Sequence, residues 1–324
     1  MKYMKNLLTV FFSVVITLVL IEFFLIWEDS YKSYPNPYNI EINDINYNLY
    51  LDKKKLFSTS KKRLLVVGDS FVQQKGCAYK EKTLPDELQS RIKNFDVFNV
   101  GLGGKTVANY IDIINHIKIK KDDVFLFILY ENDILIDKEI CHLAKIQNKK
   151  YNLPIPNSCP LNSKLKKSDK SKDTILKSIN SRIRHFKIIK LTKDAIINIS
   201  FFNKFFFRTE YKMFWTNFES EENKYISTQL YYIKNLIEQN GGILYLTYFP
   251  NVTKVIPENP EPLMWQKFIS NLIRSHQFNF LNPYRYLEKN KYSKSMTRSL
   301  SDDHPNCDVN RIMSNYYKLE LNIN

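Results

Sequence analysis

Apolar residues recur with two different spacings that take turns. Short runs rich in β-branched and aromatic residues lie at 63–67, 95–100, 123–129, 243–249 and, more weakly, 277–281, the signature of buried strands. Between them, apolar positions recur at helical spacing over 82–93, 106–117, 222–240, 261–275 and 308–320. Strand and helix in alternation predict an α/β fold, a parallel sheet covered by helices on both faces. Right-handed crossovers then align the carboxyl ends of the strands along one edge. Residues that leave those ends meet there, however distant in sequence.

Two segments break the alternation. Residues 137–221 are too long for an ordinary connection and read as an insertion. Within it, 164–172 (KLKKSDKSK) has the composition of a solvated loop, and 174–199 has helical character. Phe201, Phe202, Phe205, Phe206 and Phe207 beside Lys204 and Arg208 read either as packed core or as a surface for a membrane or an acyl chain. The second break is residues 7–27, apolar except for Thr9, Ser13, Thr17 and Glu22, with Lys2 and Lys5 before them and Glu28 and Asp29 after. A helix of that length covers about 30 Å, the thickness of a hydrocarbon core. No small-residue cleavage site follows, so an uncleaved transmembrane signal anchor is expected, with a cleaved signal and a buried helix as rivals. The flanking charges place the N-terminus in the cytoplasm and the rest in the periplasm or otherwise outside. Glu22 then lies near the outer interface, within reach of water. Residues 28–60, polar and containing Pro35 and Pro37, read as a stalk with some docking onto a single domain at 61–324.

A formal net charge of +15 raises nucleic acid as a partner, but the lysines are dispersed and no nucleic-acid motif accompanies them. A basic surface beside anionic headgroups or acidic glycans suits a tethered protein better. Four cysteines in a chain expected to leave the cytosol permit two disulfides. Cys141 and Cys159 bracket a Pro-containing segment and form the natural local pair. Cys77 and Cys307 are the second pair, with free buried thiols as the alternative. No metal-ligand spacing appears among them.

Only seven glycines occur, and five of them (Gly68, Gly76, Gly101, Gly103, Gly104) fall within 37 residues. Glycine so sparse is kept where backbone turns tightly or approaches a ligand. The first expected strand runs into Gly68-Asp69-Ser70-Phe71, which sets Ser70 at the carboxyl edge of the sheet, where an α/β fold presents a nucleophile. Behind the second strand comes Asn99-Val100-Gly101-Leu102-Gly103-Gly104, behind the third Tyr130-Glu131-Asn132-Asp133, and before the last helix Asp302-Asp303-His304-Pro305-Asn306. Of the five histidines, His304 alone has carboxylates beside it. His116, His142, His185 and His276 lie in or near helical stretches and read as structural or surface residues.

Four such blocks in this order resemble the SGNH, or GDSL-type, hydrolase family over residues 61–320. The resemblance implies a three-layer, flavodoxin-like sheet and acyl-ester chemistry. Carried over by position, it makes Ser70 the nucleophile, His304 its base, and the Ser70 and Gly104 backbone N–H groups with the Asn132 side-chain amide the oxyanion hole. Relatives usually place an Asp three residues before the His, where this chain has Ser301. Asp302 is therefore the expected orienting acid, with Asp303 or a Ser–His dyad as alternatives. Tyr130 stands where relatives have Gly, either narrowing the pocket or offering a stacking surface for a sugar. Asp69 is expected to brace the turn through backbone N–H groups. No metal or organic cofactor is implied. The expected activity is removal of O-acetyl or other short acyl groups from an envelope glycan or lipid through an acyl-Ser70 intermediate. An O-acyltransferase for an envelope polysaccharide and a catalytically silent scaffold or glycan-binding protein are the alternatives.

Overall fold

The computed structural model describes residues 38–73, 82–130, 138–159, 221–249, 261–290, 297–299 and 302–321, apart from 44, 50 and 158, together with 13, 16, 17 and 20. The chain divides into two compact units, Met1–Tyr34 with Lys166–Glu210, and Pro35–Leu165 with Tyr211–Asn324. In the first, Ser13, Ile16, Thr17 and Leu20 are helical, and the Thr17 hydroxyl donates to the Ser13 carbonyl at 2.8 Å. Among the described residues no helix is long and apolar enough to cross a membrane. Most of 7–27 and the stretches 164–172, 174–199 and 201–208 lie outside the described residues.

The second unit opens with an antiparallel hairpin, β1 (Tyr38–Ile42) and β2 (Ile45–Leu49), and a short helix α1 (Lys53–Ser58). There follow β3 (Lys62–Gly68), α2 (Ser70–Gln73), α3 (Leu84–Arg91), β4 (Phe95–Gly101), α4 (Val107–Ile117), β5 (Val124–Leu129) and α5 (Lys138–Tyr151). The chain continues through α6 (Glu221–Gln239), β6 (Ile243–Tyr248), α7 (Glu261–His276), β7 (Asn279–Leu281) and α8 (Tyr284–Lys289). A second hairpin, β8 (Thr297–Ser299) and β9 (Asp302–Pro305), leads into α9 (Cys307–Glu320).

The central sheet has the order β4-β3-β5-β6-β7 with every neighbouring pair parallel. Counted from β3, this is the 2-1-3-4-5 order of flavodoxin-like doubly wound folds, whose crevice opens where the order reverses, between β3 and β5. Alternation along β3 shows how the layers form. Leu65 and Val67 pack with α4 and α6 residues such as Ile111, Ile114, Ile226 and Ile233. Leu64 and Val66 pack on the other face with Leu84 and Leu88 of α3 and Val309 and Met313 of α9. All six residues of β5 are buried, as a strand covered on both faces requires. Helix starts are set locally: Thr83 and Asp86 form a capping box at α3, and the Asn306 side chain accepts from the Asp308 and Val309 N–H groups at α9.

Two stretches differ from the sequence expectation. Residues 38–58 are more than a stalk with some docking: Ile40, Ile45, Tyr47, Leu49 and Leu56 are buried in the main core. The reason is a period-two pattern, Ile45, Tyr47, Leu49, hidden inside an Asn- and Tyr-rich composition. The first part of the 137–221 stretch likewise belongs to the core, because α5 buries Ile140, Leu143 and Ala144 against it. A disulfide between Cys141 and Cys159, with Cα atoms 5.2 Å apart, fastens the segment after α5 back onto that helix.

Candidate active site

Everything at this site begins with how β3 ends. Gly68 is flanked in register by Gly101 of β4 on one side and Ile128 of β5 on the other. Its carbonyl accepts from the Leu102 N–H at 2.9 Å and from the Tyr110 hydroxyl, so the strand end is tied to the loop after β4 and to α4. The chain then turns at Asp69, which is fully buried. One of its carboxylate oxygens accepts from the Phe71 N–H at 2.8 Å, and its carbonyl accepts from the Val72 and Gln73 N–H groups at 3.2 and 3.0 Å. These bonds start α2 at Ser70, and the brace expected of Asp69 is what the structure contains. The half-buried Ser70 hydroxyl donates to the other Asp69 carboxylate oxygen at 3.1 Å. To deliver that proton elsewhere the hydroxyl rotates away from Asp69.

The loop after β4 lies directly beside the Asp69–Ser70 turn. A side chain on Gly101 would collide with the backbone of Val72 and Gln73, so only glycine lets β4 and α2 pack this closely. The Asn99 amide closes the same contact, donating to the Val72 carbonyl at 3.1 Å while its oxygen accepts from the Gly101 N–H at 2.9 Å. Residues 102–105 form a turn closed by the Lys105 N–H on the Leu102 carbonyl at 3.2 Å. Gly104 takes the third place with φ +71, a conformation that favours glycine there. A Cβ on Gly103 would stand 3.6 Å from the Ser70 Cβ. Among the described residues the exposed Gly104 N–H has no hydrogen-bond partner, and apart from Gly103 and Lys105 no residue comes within 4 Å of where its Cβ would be. The space beside Gly104 is open.

On the other flank of β3, the exit of β5 is fixed by aromatic packing. The Tyr130 ring lies on Phe71, centroids 3.8 Å apart, and Phe71 also meets Phe249 at the end of β6, at 5.3 Å. Tyr130 thus has one face on the residue after Ser70. Asn132 and Asp133 lie outside the described residues; the chain sets out toward them from that contact.

The last block arrives on β9, which carries Asp302, Asp303 and His304 along its backbone; their side chains are outside the described part. This strand packs against α2, with Cα atoms of the two elements within 8 Å. Ser70 and His304, far apart in sequence, therefore sit on touching elements. Cys307, at the start of α9, is disulfide-bonded, and Cys77 lies outside the described residues.

The remaining described histidines have local duties. His116 shares a 2.9 Å hydrogen bond with the Tyr38 hydroxyl, and burial, with Lys53 and Lys118 nearby, holds its pKa below the usual value. His276 stacks on Tyr231 at 4.6 Å, and burial and Lys234 lower its pKa as well. His142 is half-buried on α5, and His185 is outside the described residues. No cluster of His, Cys, Asp or Glu suited to a metal occurs among the described residues. Sequence reasoning missed Gln73, whose amide links the 102–105 turn to β2, and the role of Phe71. A polar Asn99 near the carboxyl end of β4 was a usable signal for the α2 contact; nothing local marks Gln73.

No family model and no curated protein matches the chain. Solved structures resemble it at low identity. A Bacillus subtilis protein is 12% identical with a TM-score of 0.45, over 82% of this chain and 57% of that one, so the chain spans little more than half its length. Axe2, an acetylxylan esterase from Geobacillus stearothermophilus, is 12% identical with a TM-score of 0.44, over 81% of this chain and 95% of that one. A member of the lipolytic G-D-S-L family from Veillonella parvula is 10% identical with a TM-score of 0.42, over 79% and 96%.

Proposed function

We propose that this chain is a serine-dependent ester hydrolase of the SGNH type, releasing O-acetyl or other short acyl groups from a cell-envelope glycan or lipid. The observation that carries the reading is the packing of β9, with His304, against α2, which begins at Ser70 at the reversal point of the sheet. A serine hydroxyl is a weak nucleophile until an imidazole takes its proton during attack. In this reading the Ser70 hydroxyl turns from Asp69 toward His304 and attacks the ester carbonyl, and His304 passes the proton to the departing alcohol. Asp302 orients the imidazole. The negative oxygen of the tetrahedral intermediate is held by the Ser70 and Gly104 N–H groups and the Asn132 amide; one such donor is worth about 3 kcal/mol. Water activated by His304 then releases the acyl group from Ser70.

The placement outside the membrane rests on residues 7–27 as an anchor. Its described residues support this: they are helical, with Ile16 56% and Leu20 62% exposed.

The test is labelling with a serine-reactive fluorophosphonate followed by turnover of short-chain acyl esters and acetylated glycans. Wild type labels at Ser70 and Ser70→Ala does not; His304→Ala lowers kcat by about 10²–10⁴-fold while staying folded. A wild-type chain that neither labels nor hydrolyses any ester points to the silent scaffold. Acyl transfer to a sugar hydroxyl in place of free acid makes the same site a transferase.

A further inference from the structure

We infer that Gln73 is the positioning residue of the oxyanion hole, holding the 102–105 turn in the conformation that leaves the Gly104 N–H free, and that it ties this turn to the β1–β2 hairpin. The inference rests on the reading of Ser70 as nucleophile and deepens it.

Gln73 ends α2, three residues from Ser70, and its side-chain amide uses both of its ends. Its oxygen accepts from the Gly103 N–H at 3.0 Å, and its nitrogen donates to the Asn48 carbonyl of β2 at 3.3 Å. A glycine pair in a four-residue turn is conformationally loose, because neither residue has a Cβ to restrict it. Rotation of the Gly103–Gly104 peptide would carry the Gly104 N–H away from the reacting carbonyl. The bond to Gln73 fixes the Leu102–Gly103 peptide, and the Lys105 N–H on the Leu102 carbonyl closes the far side of the turn, so the peptide between them, which bears the Gly104 N–H, is held from both ends. An oxyanion hole works because its donors are set before charge develops, and a glycine turn needs an outside contact to be set in that way. Gln73 supplies that contact from the same short helix that carries the nucleophile, so donor and nucleophile move together. The second bond adds a partner: the hairpin, fastened to the core through Ile45, Tyr47 and Leu49, is the rigid body on which the amide rests.

The test compares Gln73→Met, which keeps size and removes both hydrogen bonds, with Gln73→Glu, which keeps an acceptor for Gly103. Hydrogen exchange read by NMR should show the Gly103 amide protected in wild type and in Gln73→Glu, and exposed in Gln73→Met. On p-nitrophenyl acetate, with active sites counted by fluorophosphonate titration, Gln73→Met should lower kcat on the order of 10²-fold, the effect of a misplaced catalytic group. KM should stay within about twofold, since the donor acts on the transition state. Wild-type kcat per active site in Gln73→Met, or rapid Gly103 exchange in wild type itself, overturns the inference. A wild type that fails to react with either reagent sinks the esterase reading instead, and the Gly103 exchange still decides whether Gln73 holds the turn. If Gln73→Met does not fold, the wild-type and Gln73→Glu exchange rates carry the decision.

Discussion

Arg63 is the largest side chain buried completely in the described residues, and it sits at the opposite edge of the sheet from Ser70. Its guanidinium meets both carboxylate oxygens of Asp123, one at 2.8 Å, and donates to the Leu56 and Lys118 carbonyls at 3.0 and 2.9 Å. Asp123 is also held by the Lys120 N–H at 2.7 Å. Each charge has several partners, the condition under which a buried pair is tolerated. Arg63→Leu strands the carboxylate and should cost about 3–5 kcal/mol in urea unfolding, whereas replacing both partners with apolar residues should cost less than that single change. Equal losses in the two would mean the pair is not coupled. Nothing in the sequence reveals this bond, because Arg63 reads as the polar start of a strand and its partner lies 60 residues on. The place of Ser70 just past the end of β3 was legible for the opposite reason: a hydroxyl soon after an apolar run and a glycine is a local signal.

Between α4 and α5 a carboxylate is buried without a full ion pair. Asp112 is 2% exposed; Gln147 donates to it at 3.3 Å and the Tyr151 hydroxyl at 3.4 Å, with Lys150 and the Asn43 side chain also nearby. Burial raises its pKa above the ordinary 3.8, and these neighbours only partly oppose the shift. The folded chain thus holds this proton more tightly than the unfolded chain, so stability falls as pH rises from about 4 through the raised pKa. Asp112→Asn, which keeps one acceptor, should remove that slope. In denaturant titrations from acid to neutral pH, the variant should gain on wild type as pH increases; parallel profiles would refute the assignment. The same packing explains the limits of the sequence reading of elements. Helices with a clear apolar stripe, such as α4, were legible. In contrast, α5 was submerged in a long stretch read as insertion, since its Lys-rich end masks Ile140, Leu143 and Ala144. The β8–β9 hairpin was missed because its strands are three and four residues long, too short for any period to show.

For the molecule as a whole, alternating strand and helix was enough to read the parallel sheet. The strand order itself was not readable from spacing, since it depends on which side of β3 each later strand joins. The expected anchor makes a separate claim about where the chain resides. If residues 7–27 span a bilayer, the full chain should sediment with membranes and be released by detergent but not by high salt. If its positive charge alone holds it there, salt should release it, because exposed charges are screened within about 8 Å at physiological ionic strength. Salt release would end the anchor reading. The order of the elements has one further consequence, which concerns the chain while it is being made. β3 lies between β4 and β5, so the strand leading to Ser70 is enclosed once residue 129 has emerged from the ribosome, whereas β9 emerges only with residues 302–305. On the proposed reading, a nascent chain or one ended before β9 would display Ser70 without His304, so competence for acyl chemistry would appear only after residue 305 has emerged.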